Sequence, residues 1–231
     1  MAENNEETSR LVGSNSGSTT TSYLNLIGNL CALLFLGIII YCCFEGGVSL
    51  FSFHPVLMSL GWIILMTSGV NAVTPGDLAT EWMPLRLRSA RHWVIQVLSG
   101  IIILSGFLII VINKYINEKP HFTSLHGKFG LSSFIFMITT MLGGLCALYS
   151  LKLKTYFTPI YTKTLHAFVG LTTFCLGVIT IILGTFSNWW SFGETLRYIT
   201  LILVLTVMLF TMLRPSLKIY FRLKERLSNT N

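Results

Sequence analysis

The chain is predicted to be an all-α, polytopic membrane protein with six transmembrane helices. Three observations carry that expectation. Of the residues, 52% are hydrophobic and only 11% charged. The mean hydropathy is +0.69. Six almost uncharged apolar runs are long enough to cross a hydrocarbon core about 30 Å thick, which takes about 20 helical residues. Lipid offers no partner to backbone N–H and C=O groups, so segments of this length cross it as helices.

Residues 1–22 are polar, rich in Ser, Thr, Asn and Glu, and expected to be a disordered cytoplasmic tail. The first apolar run is too long and too late for a cleaved secretory signal, so it is expected to be a retained span. The spans run from Tyr23 to Cys43, His54 to Val73, His92 to Asn113, His126 to Tyr149, Lys163 to Ser187 and Thr195 to Leu213. Short connections leave no room for a separate soluble domain. Residues 23–213 are therefore one six-span domain, and 214–231 a basic cytoplasmic tail.

Basic residues concentrate on the cytoplasmic side of membrane proteins. Arg10, Arg86, Arg88, Arg91, Lys152, Lys154, Lys163, Arg214, Lys218, Arg222, Lys224 and Arg226 fall on one face, against Lys114, Lys119, Lys128 and Arg197 on the other. Both termini are thus expected in the cytoplasm. The net charge of +7 follows from topology and leaves no patch for nucleic acid. The five cysteines, in or at the ends of spans, make neither a disulfide framework nor a C-x-x-C metal or haem-attachment motif.

The histidines carry the chemistry. His54, His92, His126 and His166 open the second to fifth spans at intervals of 38, 34 and 40 residues. Successive spans run in opposite directions, so these side chains alternate in depth. His54 and His126 share the outer level, and His92 and His166 the inner one. Ionisable groups inside a membrane are costly and mark function. Haem iron accepts two axial imidazoles in line, with the flat porphyrin between helices. A central four-helix bundle, the second to fifth spans, is therefore expected to hold two haems. Small residues follow each histidine at helical spacing: Gly130 and Gly170 one turn on, Gly61, Ser99, Ser133 and Thr173 two turns on, then Gly177 and Gly184. The nine carboxylates lie outside the spans or at their edges, which counts against a proton-coupled transporter. A histidine-lined metal or proton transporter and an electron-carrying subunit of a larger complex are the alternatives. His121, in the loop after the third span, is expected to be solvated or to help bind an external acceptor.

Phe51-Ser52-Phe53-His54-Pro55-Val56-Leu57-Met58, the Ser124-Leu125-His126 triplet and the other two spaced histidines resemble the cytochrome b561 family of transmembrane electron carriers. Short loops and His92-Trp93-Val94-Ile95-Gln96 are most similar to its cytochrome b561 domain-containing branch of ascorbate-dependent reductases. The resemblance implies two non-covalent b haems, the ligand pairs His54 with His126 and His92 with His166, and no catalytic residue beyond the haems. It also implies cytoplasmic ascorbate as donor, with ferric iron or monodehydroascorbate as acceptor on the opposite side.

The motif that holds ascorbate in the best-known branch is not intact here. Arg86, Arg88 and Arg91 are its nearest equivalents in position, and Lys152, Lys154 and Lys163 would add positive charge for an anionic donor. Lys128 and Arg197 are candidate partners for the outer haem propionates. The expected partners are the bilayer, ascorbate, the ferric or monodehydroascorbate acceptor and a second copy of the chain. The expected location is the endoplasmic reticulum or a cytoplasmic vesicle membrane in preference to the plasma membrane.

Overall fold

Capping chemistry sets the helices earlier than hydropathy alone would. The structure, a computed structural model, describes residues 2–74 and 77–228; the side chains of 2–22, 222 and 225–227 lie outside that description. Six helices follow in order: α1 (Ala2–Phe44), α2 (Leu50–Asn71), α3 (Leu85–Ile116), α4 (Leu125–Leu148), α5 (Pro159–Thr185) and α6 (Gly193–Ser228). Each contains a stretch long and apolar enough to span a bilayer, so the chain is a multi-pass membrane protein. No strand occurs among the described residues. The tail expected at residues 1–22 lies where no side chain is described. The one expected at 214–231 continues α6 as far as Ser228, with 229–231 outside the description.

The starts differ from the apolar runs for local reasons. Ser49 and Ser52 form a reciprocal capping box that begins α2 ahead of His54. Pro159 occupies the first turn of α5, where its missing N–H costs nothing. α3 begins directly after Pro84. His92 and His166 therefore sit about two turns inside their helices, and Arg86, Arg88 and Arg91 lie on the first turns of α3 instead of in a loop. α2 is irregular. Pro55 lies within it, and Leu60–Leu65 widens into a π-helical turn, a feature that shifts the register of everything beyond it.

Two tight hairpins form the centre. α2 lies along α3 and α4 along α5, while α3 and α4 meet only locally. α1 and α6 pair with each other and close the flank against α2 and α5. Side-chain contacts fix the two ends. At the terminal end, which carries both chain termini, Asn25 of α1 donates to Asp77 beyond α2, and Gly28 faces Phe210 of α6. At the far end, Phe44 meets Phe53, Tyr41 meets Phe192 and Phe51 meets Trp189.

The middle of the bundle is closed. Trp62 of α2 is buried and lies where a Cβ on Gly177 of α5 would be. Met141 of α4 covers Gly100 of α3, and Phe107 stacks on Phe134 with centroids 4.5 Å apart. Buried Phe35, Ile63, Ile103, Phe174 and Val178 fill the remaining core, while Leu33, Leu34, Ile101, Leu142 and Ile202 point outward, as lipid solvation allows.

Candidate functional site

Each hairpin holds its own histidines, and each histidine faces the other hairpin. Across the gap, the rings of His54 (α2) and His126 (α4) have centroids 6.1 Å apart and planes at 82°. At the terminal end, His92 (α3) and His166 (α5) repeat this at 6.2 Å and 85°. Within the hairpins, His54 Nδ1 donates to the Gly106 carbonyl at 2.9 Å and His92 Nδ1 to that of Gly69 at 2.7 Å. His126 Nδ1 donates to the Thr180 carbonyl at 2.9 Å. A carbonyl can only accept, so these bonds place the proton on Nδ1 and leave Nε2 with its lone pair. His166 Nδ1 is buried and lies toward the Thr140 backbone without forming a full hydrogen bond.

The far pair opens into a cavity of about 310 Å³. Phe51, Phe107 and Phe134 supply apolar walls and Trp62 lies toward the middle of the membrane, while Gly130, Ser133 and Gly184 leave room beside the rings. A Cβ on Gly184 would stand 3.2 Å from His126, and one on Gly144 the same distance from His166. Matching glycines thus serve the two pairs. Other expected small residues serve packing instead. Gly61 meets Ile103 and its carbonyl accepts from Ser99 Oγ at 2.9 Å, so it packs against α3. Thr173 bonds Thr140 at 2.6 Å between α4 and α5.

Near the terminal pair, polar groups outnumber their partners. Thr67 Oγ1, Asn71 Oδ1, Arg91 Nε, Ser150 Oγ and His166 Nδ1 are the buried side-chain atoms with no hydrogen bond among the described residues, and all belong to the terminal half of the bundle. The nearby buried Asp77 is satisfied, with Asn25 Nδ2 donating to it at 3.2 Å and Thr80 Oγ1 at 3.0 Å.

The basic candidates separate. Arg88 is engaged by its own loop, donating to the carbonyls of Met83 at 3.1 Å and Glu81 at 2.5 Å. Arg86 is exposed, and Arg91, next to His92, keeps its buried Nε unpaired. Lys152 lies 5.4 Å from the Tyr149 ring centre, and Lys154 and Lys163 are exposed. At the far end, Lys128 is exposed and outside the cavity lining. Arg197 is held by Glu194 and by the Thr185 carbonyl at 3.1 Å. Lys114 and His121 do line the cavity. In the sequence Lys114 counted only toward topology, and its place at the edge of a loop, at the depth of His54, is the one signal that would have marked it as a site residue.

Fold and site together define a six-helix membrane protein with two histidine pairs at different depths. The family described as eukaryotic cytochrome b561 matches residues 53–191, and the chain belongs to that family. It is 34% identical over 145 residues to the transmembrane reductase CYB561D2 of Mus musculus, covering 63% of this chain and 65% of that protein. Against the Homo sapiens CYB561D2 it is 33% identical over 149 residues, 64% and 67% of the two chains. The probable transmembrane reductase CYB561D1 of Mus musculus is 27% identical over 147 residues, 63% of each. The chain thus spans about two thirds of the length of these relatives. α1 and all of α6 lie outside the family match.

Membership implies b-type haem, and the donor set fits it. Two metal–nitrogen bonds of about 2 Å each, plus the reach of the rings, put axial imidazole centroids about 6 Å apart. Both pairs have that separation and glycines that leave space beside a ring, and His54, His92 and His126 carry a free Nε2 lone pair.

Proposed function

We propose that the chain is a transmembrane reductase holding two b haems, one between His54 and His126 and one between His92 and His166. It would pass single electrons from cytoplasmic ascorbate to ferric iron or monodehydroascorbate on the opposite side. The observation that carries this reading is the crossed arrangement: ligand pairs span the gap between hairpins, while Nδ1 bonds within each hairpin orient them. When bound, the haems supply reversible one-electron ferric–ferrous couples at two depths, dividing a barrier of about 30 Å. The names of the matched relatives, transmembrane reductases, support the reductase part of this reading.

The protein residues do the holding. Backbone carbonyls of Gly106, Gly69 and Thr180 raise the basicity of the imidazoles and lock their orientation. The apolar walls around His54 and His126 exclude water. Arg91, with its unpaired buried Nε beside His92, is the donor-side cation this arrangement favours, whereas Arg88 clamps the α2–α3 connection. Lys114 and His121 stand where an anionic propionate or acceptor would meet the far cavity. Trp62 packs against Gly177 between the two layers and puts a buried aromatic ring there, with no ionisable group of its own.

Absorption spectroscopy of the purified protein tests the assignment. The expected result is a reducible bis-histidine haem spectrum with about two haems per chain. A chain that lacks this spectrum, or keeps it unchanged after joint His54→Ala and His92→Ala substitution, overturns it. Oriented vesicles offered ferric chelates or monodehydroascorbate then distinguish the acceptor.

A further inference from the structure

The histidine pairs leave the lysines of the α4–α5 connection without a task. Arg91 stands next to His92, whereas Lys152, Lys154 and Lys163 are exposed at the terminal end. Only Lys152 meets a ring, that of Tyr149, 5.4 Å from its centre. Depth follows from the α4–α5 hairpin. Gly144 is level with the His166 ring, since a Cβ there would stand 3.2 Å from it. Tyr149 and Tyr161 each come five residues further along their strands of the hairpin, about 7.5 Å nearer the membrane surface at 1.5 Å per residue.

The same connection presents apolar side chains that the protein leaves uncovered. Leu151, Tyr156 and Phe157 are 69%, 80% and 62% exposed, and Lys152 and Lys154 fall between them in the chain. No acidic residue occurs between Glu118 and Glu194, so nothing in α4, α5 or their connection neutralises the lysines. Among the described side chains, the carboxylates at this end are Asp77, buried and hydrogen-bonded, and Glu81, which lies on the α2–α3 connection. Topology asks for cations here, and the interface favours aromatic rings. Both in one acid-free turn give the surface a charge preference as well as an apolar one.

We propose that residues 149–163 bind anionic phospholipid from the leaflet at the terminal end, with Lys152, Lys154 and Lys163 toward phosphate and Leu151, Tyr156 and Phe157 against the acyl boundary. Charge complementarity selects this occupant. A small soluble anion would meet the lysines and leave the three apolar side chains in water. A phospholipid covers both kinds of group at once.

The test uses the full-length protein in phosphatidylcholine nanodiscs that carry a minor fraction of photoactivatable phosphatidylserine or, in a parallel sample, of photoactivatable phosphatidylcholine. Peptide mass spectrometry locates the cross-links. Phosphatidylserine is expected to label residues 149–163 more than phosphatidylcholine does, with the excess falling as salt rises. Joint Lys152→Gln, Lys154→Gln and Lys163→Gln substitution should cut that excess about fivefold or more and leave the thermal midpoint unchanged. The lipid comparison and salt series on the unaltered chain keep the idea falsifiable if the variant does not fold. Equal labelling by the two lipids, an excess indifferent to salt, or one that survives the substitutions overturns the proposal. Displacement of the label by ascorbate at constant ionic strength would assign the lysines to a soluble anion and overturn it as well.

Discussion

At the residue scale, the four histidines differ from ordinary buried polar residues in how their two nitrogens are used. Nδ1 of His54, His92 and His126 is committed to a backbone carbonyl of the partner helix in the same hairpin. Nε2 is left for whatever lies between hairpins. His54→Ala is therefore expected to lower the haem content from about two to about one per chain and to spare the His92/His166 site. A pyridine-haemochrome assay of the purified variant checks this. The glycines are equally specific. A Cβ on Gly177 would overlap the buried indole of Trp62, whose rigid ring cannot swing aside. Gly177→Val should cost about 1–3 kcal/mol by overpacking, read as a lowered thermal midpoint. Arg91 and Arg88 should part ways in kinetics. Arg91→Gln is expected to raise the ascorbate concentration needed for half-maximal haem reduction, and Arg88→Gln to leave it unchanged while loosening the loop it clamps.

At the element scale, helix starts and connections position the site. The Ser49–Ser52 capping box begins α2 just before His54. Ser49→Ala should destabilise by about 1 kcal/mol, measurable by thermal melting. The α2–α3 connection is anchored to α1 by Asp77, whose carboxylate accepts from Asn25 and Thr80. Asp77→Ala would leave both donors buried and unpaired, at a cost of about 1–3 kcal/mol. Hydrogen exchange should then rise in the 77–83 segment before it rises in α4 or α5. The π turn of α2 was not foreseeable from composition. It shifts the register of the part of α2 beyond Leu65, where Gly69 accepts from His92.

At the scale of the whole molecule, two internally tight hairpins stand apart at two depths and touch between them. Electron delivery is expected to be vectorial. Vesicles with ascorbate sealed on the side of Arg91 and His92 should reduce the outer layer, with a slower response when ascorbate is offered only from the other side. Much of this organisation was legible in the one-dimensional chain, because lipid forces helices of fixed length and alternating direction. Six runs and four histidines thereby determine which pairs share a depth, and the family signature around His54-Pro55 names the chemistry they suit. The tertiary structure alone decided which helices form hairpins, since connectivity does not say that α2–α3 and α4–α5 lie close while α3–α4 parts. It also decided the basic residues, because charge near a span reads the same whether bound by its own loop, like Arg88, or left unpaired beside a histidine, like Arg91. Helix length and direction are local consequences of solvent; the partner of a long flexible side chain depends on what distant segments bring to it.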